Sequence, residues 1–531
     1  MKRFFGVLIA LAVMSTVVFA EGSQGRSSTG SRTGAPVKIS VEIFDRGTDG
    51  GKTNPTDNQW TRWIKEKILK DENIDVSFVA VPRWTETEAL VNLMAAGTPP
   101  DVCITYSADN ITNWQSRGGL YDVSPYIDTT LKDLNAFLGP DPARRGKRLI
   151  ERQRDNETNK IYALTSRRMN TAMRNIFIRK DWLDRLGLPL PKTTQEFYDA
   201  LVAFRDRDPG NVGRNRVIPF TLMGDRVDWT AGNIIESFID PNLSDRDRWV
   251  NLVAERNFLV PGYKEGLRFV NKMYNDGLID RDFPLYKGED NLTVLQSGVV
   301  GAFESTWDAI YREPNGILSN LQKNIPTANF VPVDCITSSD GLTHKPAYDV
   351  IGVFYFIPAA SKNPDAAMRY LNWLAKYENY HFIQTGPEGI VHTLVDGIPK
   401  LNPTAGQGWI QNSAQNIDYT PMMNGLFLGS EDENIRAIAN GYSWPADLVA
   451  EAYRLSMRNA RPLPAISTKS PLTVAGQYAA NLNNKGVTIY SQVITCSPQD
   501  FDRLYDAAIA DWLATGAQAI INERIEKYIA P

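Results

Sequence analysis

The sequence predicts an α/β protein with two lobes, each built from a mixed β-sheet flanked by helices. Three observations support this prediction. The chain has 531 residues, whereas a single hydrophobic core stops growing at about 250–300 residues. Apolar residues make up 43% of it and charged residues 22%, as in soluble globular proteins. Strand-like and helix-like segments alternate along most of the chain, which is typical of α/β folds.

The first 20 residues have the pattern of a secretory signal peptide. Lys2 and Arg3 are positively charged, residues 4–13 are almost wholly apolar, and the small residue Ala20 ends the segment. The apolar stretch is shorter than the about 20 residues that span a bilayer, although a retained N-terminal anchor is the alternative. We expect cleavage after Ala20 and export to the periplasm. The first cysteine is Cys103, so we expect no lipid anchor.

Residues 21–36 are rich in Gly and Ser and predict a flexible leader. Order is predicted from Val37, where residues 37–44 alternate apolar and polar side chains as a half-buried strand does. The helix that follows the next loop has Trp60, Ile64 and Ile68 on one face.

The same alternation continues for two more strands. Residues 75–81 predict a strand, residues 85–96 a helix that Gly97 ends, and residues 101–105 a further strand. This β-α-β-α-β order predicts a parallel or mixed sheet with helices on both faces.

A second set of elements follows. Residues 175–178 predict a strand, residues 181–186 a helix, and Thr193 with Glu196 a capping box for another helix. Further strands are predicted over residues 298–303 and 350–357. Because ligands of open α/β sheets bind beyond the carboxyl ends of strands, the loops at those ends are the candidate site.

Charge and cysteine content limit the function further. Lys and Arg number 57 against 61 Asp and Glu, a net charge of −4, so no net field attracts nucleic acid. Cys103, Cys335 and Cys496 are the only cysteines. Three cysteines cannot all pair, so at most one disulfide forms, and Cys103 is expected as a buried free thiol within its strand.

Motifs for catalysis, nucleotide binding and metal binding are absent from the sequence. The chain has three histidines and no HExxH, GxSxG, GxGxxG or GxxxxGK[ST] pattern. We therefore expect no catalytic residue, no cofactor and no metal site. Glu304 and Asp308 are close in sequence, and two carboxylates can hydrolyse a glycoside. A secreted glycoside hydrolase or lyase is therefore the alternative to a protein that uses these groups for polar contacts with sugar hydroxyls.

Several segments, in this order along the chain, resemble family 1 extracellular solute-binding proteins, the ligand-capturing components of ATP-driven carbohydrate importers. They are residues 44–47 (FDRG), 93–101 (LMAAGTPPD), 118–122 (GGLYD), 179–188 (RKDWLDRLGL), 367–374 (AMRYLNWL) and 386–389 (GPEG). The resemblance extends from about Val37 to the C-terminus.

This resemblance implies a two-lobed periplasmic-binding-protein fold of type II, with a hinge between the lobes and a sugar or oligosaccharide in the cleft. It implies an N-terminal lobe of residues 37–165 plus 332–400 and a C-terminal lobe of residues 166–331 plus 401–531. The closed form of such a protein docks on a membrane permease and performs no chemistry. We expect a monomer with these two partners, and presentation of the ligand to a membrane sensor is the alternative task.

The resemblance also suggests which residues contact the ligand, since they follow predicted strands or lie near the crossing between lobes. These residues are Asp45, Arg46, Tyr106, Asn170, Thr171, Asp228, Trp229, Glu304 and Trp307.

One departure from longer relatives concerns calcium. Members that resemble alginate-oligosaccharide binders carry a calcium loop after the matching helix. Here Asp208 and Gly213 keep the pattern. At the positions where oxygen ligands are needed stand Gly210, Val212, Arg216 and Val217. We predict that this loop binds no calcium.

Overall fold

The structure is a computed structural model. It describes residues 34–47, 54–142, 144, 146–312, 316–402, 408–409, 414–462, 466, 468–470 and 472–529. The predicted signal peptide and nearly all of the predicted leader lie outside these residues.

Strands in the described residues are numbered in chain order. They are β1 Val37–Asp45, β2 Ile74–Pro82, β3 Cys103–Thr105, β4 Leu164–Arg168, β5 Arg174–Arg179, β6 Ile218–Thr221, β7 Val300–Thr306, β8 Phe330–Val333, β9 Lys345–Ala347, β10 Ile351–Phe356, β11 His392–Val395, β12 Ile398–Leu401, β13 Met423–Asn424 and β14 Ala460–Pro462.

The helices are numbered in the same way. They are α1 Gln59–Glu72, α2 Glu86–Ala95, α3 Ala108–Ser116, α4 Lys132–Leu138, α5 Lys180–Leu186, α6 Thr194–Arg207, α7 Val227–Thr230, α8 Gly232–Glu236, α9 Asp245–Asn251, α10 Tyr263–Asn275, α11 Gly288–Gln296, α12 Ile317–Asn324, α13 Pro364–Leu374, α14 Tyr377–Thr385, α15 Glu431–Tyr442, α16 Ala446–Met457, α17 Ala475–Thr495, α18 Phe501–Trp512 and α19 Gln518–Lys527.

The first sheet is mixed, as predicted. β1 and β2 pair in parallel, with Val37 opposite Ile74. A parallel bridge between Val41 and Val102 continues β1 towards β3, which belongs to the order β13-β4-β10-β3. β10 runs antiparallel to both β3 and β4, whereas β13 is parallel to β4. The carboxyl ends of β1, β3, β4 and β13 therefore lie at one edge of the sheet.

Helix α1 covers this sheet with the face that the periodicity predicts. Trp60, Ile64 and Ile68 are buried in the first core, together with Tyr355 of β10. The helix begins at Asn58, whose side chain accepts hydrogen bonds from two backbone N–H groups, and it ends at Asn73 in the left-handed conformation.

The second sheet has the order β6-β7-β5-β8, with β5 antiparallel to both β7 and β8. Side chains of β5 alternate between two cores. Ile176 and Ile178 face a core that contains Trp182 and Phe204, while Phe177 packs against Phe303 on the other face. Burial on both faces explains the continuous apolar character of this strand.

Helix α6 starts at the predicted cap but without the full capping box. The Thr193 hydroxyl accepts from the Glu196 N–H at 3.2 Å. The Glu196 carboxylate accepts instead from the Lys192 N–H at 2.7 Å. One half of the predicted reciprocal pair therefore forms, and the other half shifts by one residue.

All three cysteines are free: Cys103 and Cys335 are buried, and Cys496 is half-buried. The Cys103 thiol lies 3.4 Å from the Pro100 carbonyl oxygen, to which it donates. The expectation of a buried free thiol at Cys103 therefore agrees with the structure.

Segments that join the two sheets differ in place from the predicted lobe boundaries. β4 ends in the first sheet at Arg168 and β5 begins in the second at Arg174, where we predicted a boundary at 165/166. We assigned residues 401–531 to the second lobe, but β13 pairs with β4, and Met422 and Met423 lie in the first core. The apolar side chains of this segment are buried by the first sheet, which the sequence pattern alone does not reveal.

Candidate functional site

The short segment 169–173 connects the two sheets at the edges where β4 ends and β5 begins. In the second sheet β6 and β7 are parallel and end at Thr221 and Thr306, at the edge where β5 begins. Because β4 leads directly into this segment, the edge of the first sheet that carries its strand ends is linked to the corresponding edge of the second. Five of the nine predicted site residues lie on loops that follow strands at these edges, namely Arg46, Tyr106, Asn170, Thr171 and Trp307. Of the others, Asp45 and Glu304 lie within β1 and β7, and Asp228 and Trp229 lie within α7.

A cavity of about 520 Å³ lies at this junction. Arg168, Asn170 and Asn424 line it from the first sheet and the crossing, and Trp307 lines it from the loop after β7. Helices α15 and α16 contribute Glu431, Tyr442 and Tyr453, and further lining residues include Asp308, Arg312 and Tyr348. The cavity therefore combines aromatic rings with charged and amide groups, a composition that suits a polar ligand with apolar faces.

Arg168 is the charged residue with the least compensation in this cavity. Its guanidinium carbon lies 4.3 Å from the centroid of the Tyr348 ring. Its Nε is buried without a hydrogen-bond partner, and the side chain forms no ion pair with any carboxylate that the structure describes. Burial lowers the pKa of Arg168, although Tyr348, Tyr106 and Asp349 act in the opposite direction.

Trp229, a predicted site residue, lies beside this group. Its ring centroid is 6.4 Å from that of Tyr348, and the guanidinium carbons of Arg174 and Arg226 both lie 5.3 Å from it. Trp229 is half-buried and Arg226 is exposed. A line of two guanidinium groups and two rings thus runs from Arg168 through Tyr348 and Trp229 to Arg226.

Asp228 is directed away from this line by its own partner. Its carboxylate accepts a hydrogen bond from Arg256 at 2.7 Å, and its carbonyl accepts one from Arg174. Its side chain is 28% exposed, so a ligand would have to share it with Arg256.

Glu304 lies below the site rather than in it. The residue is 1% exposed, its carboxylate accepts from the Asn233 N–H at 2.9 Å, and it pairs with Arg174 at 3.3 Å. Burial raises the pKa of Glu304, and the Arg174 guanidinium acts against that rise. This position supports Arg174 and gives a ligand no direct access to the carboxylate.

Trp307 lines the cavity but belongs mainly to a core. It is 4% exposed, and its ring meets that of Tyr453 edge-on at 5.5 Å. Next to it, the Asp308 carboxylate is bound by Arg312 at 2.8 Å and by the Tyr442 hydroxyl at 2.9 Å. The two carboxylates considered for a hydrolase, Glu304 and Asp308, therefore both have protein partners.

Asn170 and Thr171 lie on the crossing segment. The Asn170 side-chain oxygen accepts from the Ala172 N–H at 3.0 Å, and the residue lines the cavity. The Thr171 carbonyl accepts from the Tyr348 N–H at 3.0 Å. Thr171 therefore fixes the backbone that carries Tyr348, whereas Asn170 faces the cavity itself.

Asp45, Arg46 and Tyr106 lie at the edge of the first sheet, outside the cavity. Asp45 accepts from the Gly47 N–H at 2.9 Å. The Arg46 guanidinium binds both oxygens of Asp418, each at 2.8 Å. Tyr106 stacks on Phe44 at 5.8 Å. Arg46 is thus already forked onto a carboxylate of the protein, the contact that the sequence suggested for a ligand.

Sequence reasoning missed Arg168, Tyr348 and Asn424. Each lies at or directly after the end of β4, β9 or β13, but the sequence analysis predicted none of these three strands, so the rule that found Tyr106 could not be applied to them. Arg168 is the last residue of β4, and Tyr348 lies shortly before β10. The strands that end at these residues have five, three and two residues, which is too short for a periodicity that the sequence alone reveals.

A second cavity of about 740 Å³ contains none of the nine predicted residues. Arg152 lines it and is bound by Asp141 at 2.8 Å and by Asp349 at 2.8 Å. Arg144 also lines it, is half-buried and forms no ion pair among the described residues. The larger cavity is the weaker candidate because it contains none of the predicted site residues and no residue of the crossing segment.

The described residues contain neither a candidate membrane span nor a candidate metal cluster. No helix there is long and apolar enough to cross a membrane, and no group of three or more His, Cys, Asp or Glu side chains there could hold a metal ion. In the loop compared with the calcium site, both Asp208 oxygens accept backbone N–H groups, from Val212 and Gly213. The absence of calcium binding stays a prediction.

Comparison with known proteins identifies the family. The family profile described as bacterial extracellular solute-binding protein matches residues 52–380. This chain belongs to that family. Among solved structures, that of the alginate-binding protein AlgQ2 without calcium ion superposes with a TM-score of 0.62 at 17% sequence identity, covering 93% of this chain and 98% of that one. The predicted two-lobed α/β binding-protein fold is confirmed by this likeness.

Two sequence relatives come from Bacillus subtilis. Lipoprotein LipO is 26% identical over 372 residues, which cover 65% of this chain and 68% of LipO. The polygalacturonan/rhamnogalacturonan-binding protein YtcQ is 22% identical over 276 residues, 49% of this solute-binding protein and 52% of YtcQ. The match thus spans about two thirds of the first relative and half of the second.

Proposed function

We propose that this protein captures a sugar or oligosaccharide between its two sheets and delivers it to the membrane permease of an ATP-driven importer. The observation that carries the proposal is the group of Arg168, Tyr348 and Trp229 at the joined strand ends. Aromatic rings present flat apolar surfaces to the C–H faces of sugar rings, and guanidinium and amide groups bind sugar hydroxyls.

Family membership supports this proposal, since solute-binding proteins capture ligands for uptake systems. By their names, YtcQ binds polygalacturonan or rhamnogalacturonan and AlgQ2 binds alginate, which are polysaccharides. We expect the protein to act as a monomer that closes on its ligand by a hinge motion.

We further propose that the protein is not an enzyme. A glycosidase needs two carboxylates that reach the glycosidic bond. Glu304 is 1% exposed and Asp308 is 4% exposed, so neither is placed to protonate a bound sugar without a rearrangement.

Export is part of the same proposal. Residues 1–20 would act as the signal peptide, and cleavage after Ala20 would release the protein into the periplasm. LipO carries the name lipoprotein, whereas the first cysteine here is Cys103. Mass spectrometry of the protein from a periplasmic fraction tests this part, with an N-terminus at Glu21 expected and an acylated or uncleaved N-terminus contradicting it.

Isothermal titration calorimetry against a panel of neutral and acidic oligosaccharides tests the binding function. We expect saturable binding of at least one saccharide with one site per chain, and no release of reducing ends over hours of incubation. If the folded protein binds no saccharide in the panel, the proposed function is wrong. If it releases reducing ends from a bound saccharide, the statement that it is not an enzyme is wrong.

A further inference from the structure

We propose that the ligand is an acidic oligosaccharide, and that Arg168 selects it by binding a sugar carboxylate. This inference rests on the proposed function and names the chemical class of its ligand. It follows from the distribution of charge at the site, taken one group at a time.

Arg168 is half-buried, and its Nε is shielded from water. A guanidinium withdrawn from water is costly unless a carboxylate or several acceptors compensate it. Here Tyr348 covers one face at 4.3 Å, Nε is buried without a partner, and no described carboxylate pairs with the side chain. The nearby Asp349 is bound by Arg152 at 2.8 Å. No residue that the structure describes therefore supplies the compensating carboxylate.

The other charged side chains that line the cavity have partners within the protein. Arg312 and Asp308 neutralise each other at 2.8 Å. The Glu431 carboxylate accepts from the Tyr453 hydroxyl at 2.8 Å and lies in the first turn of α15, where the helix dipole favours a negative charge. Asp308 and Glu431 are thus each stabilised by a neighbouring side chain. Among the described charged residues that line the cavity, Arg168 lacks such a partner.

Arg226 supplies a second guanidinium group near the site. Arg226 is exposed, lies 5.3 Å from the Trp229 ring, and forms no ion pair among the described residues. The order from Arg168 to Arg226 is guanidinium, ring, ring, guanidinium, with separations of 4.3, 6.4 and 5.3 Å. This order suits a chain of sugar rings in which more than one ring bears a carboxylate.

Neutral sugars fit the same groups less well. Hydroxyls would give Arg168 hydrogen bonds but no counter-charge, whereas a planar carboxylate accepts two parallel N–H bonds from a guanidinium. Closure of the cleft removes water and strengthens this difference. Selection between an acidic saccharide and its neutral counterpart is therefore expected to depend on Arg168.

Calorimetry with chemically matched probes tests this inference. The probes are trigalacturonate, its methyl ester and the neutral maltotriose, titrated into the purified protein. The variants are Arg168→Gln, which removes the charge, and Arg168→Lys, which keeps it. Arg503→Gln is the control, because Arg503 is 69% exposed and pairs with Asp500 on the surface.

We expect the acid to bind at least tenfold more tightly than its ester, which corresponds to about 1.4 kcal/mol. Arg168→Gln should weaken binding of the acid at least tenfold and binding of the ester less than threefold. Arg168→Lys should recover part of the loss, and Arg503→Gln should change neither. Thermal unfolding of the unliganded variants checks folding, and Arg168→Gln is expected to be at least as stable as the wild type.

Other results would overturn the inference. Equal affinity for acid and ester, or unchanged binding of the acid by folded Arg168→Gln, contradicts selection by Arg168. Binding of maltotriose or another neutral oligosaccharide in preference to the acid contradicts the ligand class and leaves the proposed function intact. Absence of binding to every acidic and neutral saccharide contradicts both proposals.

Discussion

The two ends of the segment that joins the sheets each carry an arginine, of which Arg174 is buried and Arg168 is half-buried. At the second sheet, Arg174 pairs with Glu304 at 3.3 Å and Glu236 at 3.4 Å, and also donates to the Asp228 carbonyl. At the first sheet, Arg168 pairs with no described carboxylate. The same residue type therefore forms ion pairs within the protein at one end and has no described ion-pair partner at the other.

The pKa of the arginine is shifted in opposite directions at the two ends of the segment. Burial acts to lower the pKa of both arginines, but the carboxylates around Arg174 raise its pKa overall, whereas the pKa of Arg168 is lowered. A charged side chain that is paired within the protein has a structural role. A charged side chain that is left unpaired in a cleft gains a counter-ion when a ligand of opposite charge binds.

Replacing the paired arginine is predicted to have the largest effect. Arg174→Gln leaves Glu304 and Glu236 buried without their cation, so we expect it to lower the free energy of unfolding by about 3–5 kcal/mol at pH 7. Urea denaturation followed by circular dichroism measures this. The same change at the exposed Arg454, which is 63% accessible, is the control.

The loss in Arg174→Gln should also depend on pH. Without the guanidinium, burial holds the pKa of Glu304 further above the value of about 4.3 for an exposed glutamate. A group whose pKa is raised on folding loses its contribution to stability as pH rises through that raised value. Because burial raises the pKa of Glu304 to about 8 even beside Arg174, the two proteins should diverge only as pH rises through that value. Destabilisation should therefore be greater at pH 9.5 than at pH 7, and a constant difference across this range would contradict the ion-pair role.

A second paired arginine at the cleft edge should give an intermediate effect. Asp418→Asn removes the carboxylate on which Arg46 is forked. Because hydrogen bonds to charged groups are worth about 1.5–3 kcal/mol, we expect a loss of that size in unfolding free energy. Asp365→Asn, at a carboxylate that is 69% exposed, should cost about 0.5 kcal/mol or less. Equal losses in the two variants would show that Arg46 gains little from its partner.

Trp229, whose ring lies against both Arg174 and Arg226, is predicted to matter for ligand affinity rather than for the stability of the fold. Trp229→Ala removes the surface shared by Arg174, Arg226 and Tyr348. We expect about a tenfold loss of affinity, or about 1.4 kcal/mol, for the saccharide that binds best in calorimetry. Tyr377→Ala on α14, where the ring is 56% exposed, is the control. Unchanged affinity in Trp229→Ala would place the ligand elsewhere.

Much of the fold was predictable from local pattern. The alternation over residues 37–44 and the face of Trp60, Ile64 and Ile68 correspond to β1 and to the buried side of α1. Such periodicities follow from the geometry of a strand and a helix and need no knowledge of partners. The segment around Met423 was assigned to the other lobe because its partner strand, β4, lies more than 250 residues earlier in the chain.

The site was less predictable for a related reason. Glu304 and Arg168 both flank strands, and the sequence favoured Glu304 as a ligand contact. The structure gives Glu304 a buried partner in Arg174 and gives Arg168 none. Whether a charge is neutralised depends on residues that are distant in sequence, so strand-end position identifies candidates but does not separate structural from binding groups.

The unfolding free energies of wild type and Arg168→Gln, each with and without saturating trigalacturonate, test the contrast between the two arginines most directly. Without ligand, the variant should equal or exceed the wild type by up to about 1 kcal/mol, because a half-buried charge without a described counter-ion is removed. Ligand should stabilise the wild type by mass action and the variant much less at the same concentration. An unliganded variant that is less stable than the wild type by about 2 kcal/mol or more would show that Arg168 is a structural residue, as Arg174 is.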